Sequence, residues 1–168
     1  NNITMRNPSI GFRQKDTGQF EEDRETAYAH GAAMMVPINV VKEVGLMSYI
    51  FFLYYEEADW CARIANAGYT MHYVHNSFVL HKESVSTGKL SALKIYYQNR
   101  NRLVFMRRNI KGKEFYLSLG YQLFVAIPKN AFSFLLKGKV KLFLAYYRAI
   151  GWNLKNIISK EIHENPRL

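Results

Sequence analysis

Residues 51–63 read FFLYYEEADWCAR, an aromatic run that leads directly into three carboxylates within four positions. The continuous apolar stretch 46–55 predicts a buried strand or turn. The alanine-rich stretch after it predicts a helix over residues 56–67 that ends at the cap residue Gly68. The three carboxylates would then occupy the first turn of this helix, at the mouth of a core.

The acidic cluster of Glu56, Glu57 and Asp59 has both a chemical and a structural interpretation. A carboxylate in a partly dry cleft can take a proton from a hydroxyl group near neutral pH. Carboxylates in the first turn of a helix are also favoured by its dipole, and Asp59 with Arg63 forms an i,i+4 ion pair. Residue type and spacing alone favour the structural interpretation.

Working outward from this segment gives the fold class. The predicted elements are strands at 31–36, 69–74 and 78–80, helices at 38–44, 56–67, 91–108 and 139–159, and an aromatic stretch at 115–136, behind a long ordered loop at 1–30. The short helix is bounded by Pro37 and Gly45. We therefore expect an α/β unit over residues 1–110 and a basic, amphipathic helical extension over residues 111–168.

Composition excludes several classes of protein. Hydrophobic residues make up 49% of the chain, which argues against disorder, and the lone cysteine, Cys61, excludes an internal disulfide and fits a reducing compartment. Residues 1–88 contain 7 Lys and Arg against 10 Asp and Glu, whereas residues 89–168 contain 16 against 3. An acidic front half can hold cation-assisted chemistry, and a basic rear half can face phosphates on lipid, nucleotide or nucleic acid.

The order of several short segments resembles the second half of the family 2 glycosyltransferases. The segments are Gly31-Ala32-Ala33-Met34-Met35, Val44-Gly45-Leu46-Met47, residues 51–63, Ala67-Gly68-Tyr69, His81-Lys82 and Ser86. The resemblance covers about residues 10–108 and is strongest to rhamnosyltransferase-like bacterial members. It implies a partial GT-A fold, that of nucleotide-diphospho-sugar transferases, without its N-terminal nucleotide-binding half, and sugar transfer to a hydroxyl group with inversion.

The resemblance also implies roles for individual residues. Relatives carry a Glu-Asp pair whose second member is the catalytic base; the pair is Glu56-Glu57 in this chain, so the base falls on Glu57 with a longer side chain. His81 matches a histidine that helps to hold the divalent ion, Mn²⁺ or Mg²⁺, on the diphosphate of the donor. Lys82 would offset the diphosphate charge, and the loop 84–88 could close over it.

Further residues are candidates for substrate contact. Asp59 matches an orienting or structural position, and the candidates for acceptor binding are Asp16, Gln19, Trp60 and Arg63. For Asp16 and Gln19, a capped surface turn is an equally open interpretation. Arg100 matches an Arg-Asn pair of the family and is expected either to contact a phosphate or to lie on a solvated cationic face.

The remaining histidines are expected to be ordinary surface or hydrogen-bonded residues. They are His30, His72, His75 and His163. His30 is isolated in the sequence, and the pair at 72 and 75 would point to opposite faces of a strand.

The basic rear half predicts attachment to a membrane surface. Residues 116–128 are too few to span a bilayer, whereas residues 135–144 alternate apolar and basic side chains and are followed by three large aromatic residues up to Trp152. That composition is typical of helices lying in a membrane interface, although these faces could instead pack on the catalytic domain. We expect a peripheral protein at the cytoplasmic face of the bacterial inner membrane.

Two functional hypotheses follow. The first is part of an inverting transferase that uses a nucleotide-sugar donor and a glycan or lipid-linked acceptor. We expect this chain alone to be inactive, because it contains no Asp-x-Asp and no glycine-rich phosphate loop. The second is a non-catalytic basic module that binds a membrane surface or, as the weaker alternative, nucleic acid. We expect no nucleic-acid partner, because no reading motif is present. A glycoside hydrolase is excluded, because no second carboxylate cluster opposes the first.

Overall fold

A computed structural model describes residues 1–5, 10–12, 14–81 and 90–167, with only the backbone described at 160 and 161. Within these ranges the chain is mainly helical. The elements are β1 (Arg24–Thr26), α1 (Ile38–Val44), α2 (Glu56–Asn66), β2 (Met71–Tyr73), α3 (Ala92–Asn109), α4 (Gly112–Tyr121), α5 (Ile127–Leu136) and α6 (Val140–Lys155), with 3₁₀ turns at Gly31–Ala33 and Lys160–His163 and a π-helical turn at Gln122–Ala126.

Contacts divide the described chain into two compact units. The first, which we call the acidic-helix unit, contains residues 10–12, 14–49, 56–81 and 165–167. The second, the helical unit, contains residues 1–5, 50–55 and 90–164. The described strands, β1 and β2, form one antiparallel pair in the acidic-helix unit, with Arg24 opposite Tyr73. A GT-A fold stays a prediction, since an antiparallel pair of this size occurs in many folds.

The core of the acidic-helix unit forms where α2 packs on α1. Trp60 and Ile64 of α2 contact Val40 and Val41 of α1, and all four side chains are buried. Trp60 and Ile64 are four residues apart and so share one side of α2. Val40 and Val41 are adjacent on the short α1 and lie on the side that faces α2. The bounds of α1 and α2 agree closely with the prediction, because Pro37, Gly45 and Gly68 provide local start and stop signals.

Hydrogen bonds from Arg63 join α2 to the end of α1, and an ion pair within α2 orients this arginine. Asp59 is fully buried, and its Oδ2 lies 3.0 Å from Nε of Arg63. One terminal nitrogen of Arg63 donates a 2.7 Å hydrogen bond to the carbonyl of Val44, and the other donates a 2.7 Å hydrogen bond to the carbonyl of Leu46. The indole of Trp60 donates to the carbonyl of Gly45 at 2.8 Å. The structural interpretation of the i,i+4 pair is therefore confirmed, with Arg63 joining α2 to the end of α1.

The helical unit is built around α3. Ile95 of α3 packs with Leu142, Ala145 and Tyr146 of α6. A second cluster joins Val104 of α3 to residues 51 and 162. Because α3 shares its core with α6, the domain boundary expected after residue 110 falls inside this unit.

The aromatic stretch 50–55 forms a turn that α3 holds in place. Asn101 is fully buried, and its amide donates to the carbonyls of Phe51, Leu53 and Tyr54 at 2.7–2.8 Å. The guanidinium of Arg100 donates to the carbonyls of Ile50 and Phe51. Positive φ angles at residues 52, 54 and 55 are compatible with a turn and exclude a regular strand.

Arg100 is an interior residue, so the expectation that it lies on a solvated cationic face is wrong. Its side chain is 8% exposed, and its guanidinium lies between the rings of Tyr97 and Trp152, 4.9 and 4.8 Å from their centroids. Burial lowers the pKa of Arg100 from its ordinary value. Its Nε donates to the side chain of Asn101 and one terminal nitrogen donates to the 50–55 turn, and a contact with phosphate stays a prediction.

Two predicted strands are wrong. At residues 31–36, the chain begins with a 3₁₀ turn, since the Nδ1 of His30 accepts a hydrogen bond from the amide of Ala32 at 3.2 Å. Residues 78–80 lie outside the described strands. Neither apolar run pairs with a strand among the described residues, and β1 forms within the predicted loop.

Candidate active site

At the start of α2, the two carboxylate oxygens of Glu57 have different environments. The phenol of Tyr28 donates a 2.9 Å hydrogen bond to Oε1 of Glu57. Oε2 of Glu57 is buried and has no hydrogen-bond partner among the described residues. Buried polar atoms are nearly always paired, so this oxygen is a place where a further group can bind.

Tyr28 acts as a fixed donor to that carboxylate. Burial, together with the charge of Glu57 and the hydrogen bond between them, raises the pKa of Tyr28 far above its ordinary value of 10.0. The phenol therefore keeps its proton at every physiological pH. It orients the Glu57 carboxyl group without competing for a proton.

Glu56 differs from its neighbour in environment. Its Oε2 is also buried without a partner in the described part of the chain. Burial, and after it the charge of Glu57, raises the pKa of Glu56 above the ordinary 4.5. The two adjacent glutamates thus present one carboxyl group fixed by a phenol and one whose charged form is disfavoured.

The segment 28–31 lies along α2 and shapes this region. A Cβ on Gly31 would lie 3.6 Å from the Cβ of Glu57, so the backbone at Gly31 is in van der Waals range of that side chain. The amide of Ala29 donates to the Sγ of Cys61 at 3.5 Å, and burial raises the pKa of this thiol. The cysteine is therefore a packing residue that ties the segment to the helix.

Two imidazoles adjoin this segment. The ring centroids of His30 and His81 are 6.0 Å apart, and those of His30 and Tyr28 are 6.5 Å apart. Both histidines are exposed. The structure thus groups Tyr28, His30 and His81 with Glu57 inside one unit.

Sequence reasoning missed two members of this group. His30 was expected to be isolated, and Tyr28 was not singled out. Both lie directly before the Gly31-Ala32-Ala33 segment that carries part of the family resemblance, and this position is the signal that could have found them. Their partners are distant in sequence, so no spacing rule reveals the contacts.

Other predicted site residues lie elsewhere. Trp60 is buried and Arg63 is largely buried, and the contacts described above give both a structural role. Acceptor binding by these two residues stays a prediction. Asp16 and Gln19 are exposed and cap a surface turn: Oδ1 of Asp16 accepts from the amide of Gly18 at 3.0 Å, and Oε1 of Gln19 accepts from the amide of Thr17. This is the second of the two interpretations left open for them. Lys82 and the loop 84–88 lie outside the described residues.

The described residues do not form a complete metal site. Across residues 1–5, 10–12, 14–81 and 90–167, no group of three His, Cys, Asp or Glu side chains could hold an ion. His81 and His30 supply two imidazoles at most. His75 is a surface residue as expected, with its Nδ1 2.7 Å from Asp23, whose pKa is lowered by hydrogen bonds from His75.

Comparison with known proteins adds one relationship. The chain is 27% identical over 97 residues to the low-salt glycan biosynthesis hexosyltransferase Agl10 of Haloferax volcanii. This chain is related to a glycosyltransferase. The match covers 57% of the chain and 32% of that relative, so the chain spans less than a third of the relative's length. No protein-family model matches the chain, and no solved structure matches it significantly.

Proposed function

We propose that this chain is the acceptor-side part of an inverting, family 2 glycosyltransferase of the GT-A type, and that Glu57 is its general base. The observation that carries the proposal is the Glu57 carboxyl group, with Oε1 fixed by Tyr28 and Oε2 buried and unpartnered within the described chain. The relationship to a hexosyltransferase supports the class of reaction.

The proposed reaction uses the free oxygen of that carboxyl group. An acceptor hydroxyl donates its hydrogen bond to Oε2, and Glu57 takes the proton as the hydroxyl oxygen attacks the anomeric carbon of the sugar. The bond from that carbon to the diphosphate breaks on the opposite face, and the nucleotide diphosphate leaves with the electron pair. Attack and departure on opposite faces invert the anomeric configuration.

Glu57 is favoured over Glu56 as the base because its orientation is fixed. A base must lie within hydrogen-bond reach of the proton it removes, and a side chain held by a phenol loses less freedom on reaching that geometry. Burial, and after it the charge of Glu57, raises the pKa of Glu56, so its charged form is disfavoured.

A divalent ion on the donor diphosphate would neutralise charge on the leaving group. His81 is the described residue that would contribute a ligand, with His30 beside it. Further ligands would be needed from outside the described residues, so no step of the proposed reaction is assigned to the ion.

The test is the conservative substitution Glu57→Gln in the full-length protein. Because an amide cannot take the acceptor proton, we expect transfer from a nucleotide-sugar to fall about 100- to 10,000-fold. Affinity for the nucleotide-sugar, measured by calorimetry, should change little. Glu22→Gln, at an exposed position of the same unit, removes the same charge and should retain full activity.

The same experiment separates the enzyme from a non-catalytic module. A folded Glu57→Gln protein that transfers sugar within a few fold of the unchanged protein would exclude Glu57 as the base. A full-length protein that neither binds nucleotide-sugar nor transfers from it would favour the non-catalytic module.

A further inference from the structure

The helical segment 112–136, formed by α4, the π-helical turn and α5, exposes most of its large apolar side chains, although Ile127 and Phe134 pack partly buried against the cluster of α3 and α6. Its buried residues are small or polar: Ser118, Gln122, Ala126 and Ala131. Its exposed residues include Tyr116, Leu117, Phe124, Phe132, Leu135 and Leu136, of which Phe124 is 82% exposed. A surface helix of a protein in water shows the opposite pattern, with its large apolar side chains toward the core.

Specific contacts hold the segment in this orientation. The hydroxyl of Ser118 donates to the carbonyl of Ile3 at 3.0 Å and lies 3.1 Å from the Sδ of Met106. In the π-helical turn, the amide of Ile127 donates to the carbonyl of Gln122, immediately before Pro128, which has no amide to donate. The apolar outer face is thus fixed by the interior contacts of the helical unit.

The charge around this face is almost entirely positive. Residues 111–141 contain six lysines and one acidic residue, Glu114. All six lysines are exposed, and in the part of the chain that the structure describes none of them forms an ion pair. Glu114 accepts a hydrogen bond from the amide side chain of Asn2 at 2.8 Å.

We propose that the outer face of residues 112–136 lies in the interface of an anionic lipid bilayer, with the apolar side chains at acyl depth and the lysines among the headgroups. An apolar helix face with lysines at its two ends has the composition of interfacial helices, and each lysine near an anionic surface adds attraction. No described helix is long and apolar enough to cross a membrane. The proposal goes beyond the glycosyltransferase function and does not depend on it.

Charge favours lipid over a second copy of this chain as the contact. A second copy would bring another six lysines to the same surface, and like charges at an interface oppose association. One face of α6, with Leu142, Ala145 and Tyr146, is buried in the cluster with α3. The proposed face shares Leu135 and Leu136 with the contact expected at 135–144 and extends it over α4 and α5.

Flotation of the full-length protein with vesicles tests the proposal. We expect the protein to float with vesicles of phosphatidylcholine and phosphatidylglycerol, to float less with phosphatidylcholine alone, and to lose part of its binding at high salt. Phe124→Asp should weaken partitioning about tenfold or more, because it removes a buried aromatic ring from the lipid. Phe78→Asp, at a site also 82% exposed but in the acidic-helix unit, should float like the unchanged protein.

Three results would overturn the proposal. They are absence of flotation with anionic vesicles, equal flotation of Phe124→Asp and the unchanged protein, and a lipid-free dimer, seen by light scattering, that Phe124→Asp dissociates. Glu57→Gln should float normally, so failure of the membrane contact and failure of the catalytic assignment are distinguishable.

Discussion

Tyr28 and Glu57 make the contact on which the proposed chemistry depends. The phenol is half-buried, keeps its proton, and fixes one carboxyl oxygen, so the other oxygen is positioned for an acceptor hydroxyl. Tyr28 is thus a positioning residue. It acts on the substrate through Glu57 and needs no contact of its own.

Tyr28→Phe removes this donor and leaves the ring. A hydrogen bond to a charged group contributes about 1.5–3 kcal/mol, so we expect kcat to fall about 10- to 100-fold while the KM for the nucleotide-sugar is unchanged. Steady-state kinetics that determine kcat and KM separately check this split.

Tyr73→Phe is the matched control for that variant. The phenol of Tyr73 donates to the carbonyl of Phe20 at 3.2 Å in the same unit, at a distance in sequence from the acidic pair. It should leave kcat unchanged. A Tyr28→Phe enzyme that lost stability but kept its kcat would assign Tyr28 to packing alone.

Glu56 makes stability depend on pH. Its pKa is raised in the folded state, so the folded protein binds this proton more tightly than the unfolded chain does. The resulting stabilisation is present below the ordinary carboxyl pKa of 4.5 and is lost as the pH rises through the folded value. We therefore expect Glu56→Gln to gain stability relative to the unchanged protein as the pH rises.

Urea denaturation at acid and at mildly alkaline pH checks this expectation. The difference in unfolding free energy between Glu56→Gln and the unchanged protein should be larger at alkaline pH. Glu22→Gln should show no such dependence, since its side chain is exposed. An equal difference at both pH values would contradict the raised pKa.

At the scale of elements, α3 supports the helical unit through polar contacts in its interior. Asn101 holds the 50–55 turn through three carbonyls, and Arg107 donates to the side chain of Asn153 on α6 at 2.6 Å. Buried donors of this kind are effective only when their acceptors are in place. The turn and α6 are therefore coupled to the same helix.

Asn101→Ala should show how much the turn depends on α3. Removing the amide leaves buried carbonyls without a donor, so we expect a loss of about 2–4 kcal/mol in unfolding free energy. Asn99→Ala is the control, because Asn99 donates to the carbonyl of Ile95 in its own helix, and its loss should cost about 0.5 kcal/mol. Chemical denaturation measures the unfolding free energy of both variants. Similar losses in the two variants would show that Asn101 has no special role in holding the turn.

At the scale of the whole molecule, the positive charge of the rear half has two separate uses. Arginines such as Arg100 and Arg107 donate to backbone or side chains inside the helical unit. The lysines of residues 111–141 are exposed and available to an anionic surface. A count of charges cannot separate these uses, whereas burial does. The chain spans 32% of the length of its hexosyltransferase relative, so the activity of the whole protein stays a proposal.

Local signals in the sequence determined α1, α2 and α3 almost to the residue. Pro37 and Gly45 bound α1, Gly68 follows α2, and the hydroxyl of Ser91 caps α3 by accepting from the amide of Lys94. The acidic pair at the start of α2 could also be predicted, because helix starts and carboxylate runs are features of a few neighbouring residues.

Only the tertiary structure decided which side chains act together. Tyr28 meets Glu57 across 29 positions of sequence, and Asn101 meets the 50–55 turn across nearly 50. The tertiary structure also decided the outer face of residues 112–136. The sequence shows that this segment is rich in apolar residues, but it does not show that small and polar side chains face the interior. Caps and periodicity act within one or two helical turns, whereas partners for buried polar atoms are set by how the whole chain packs.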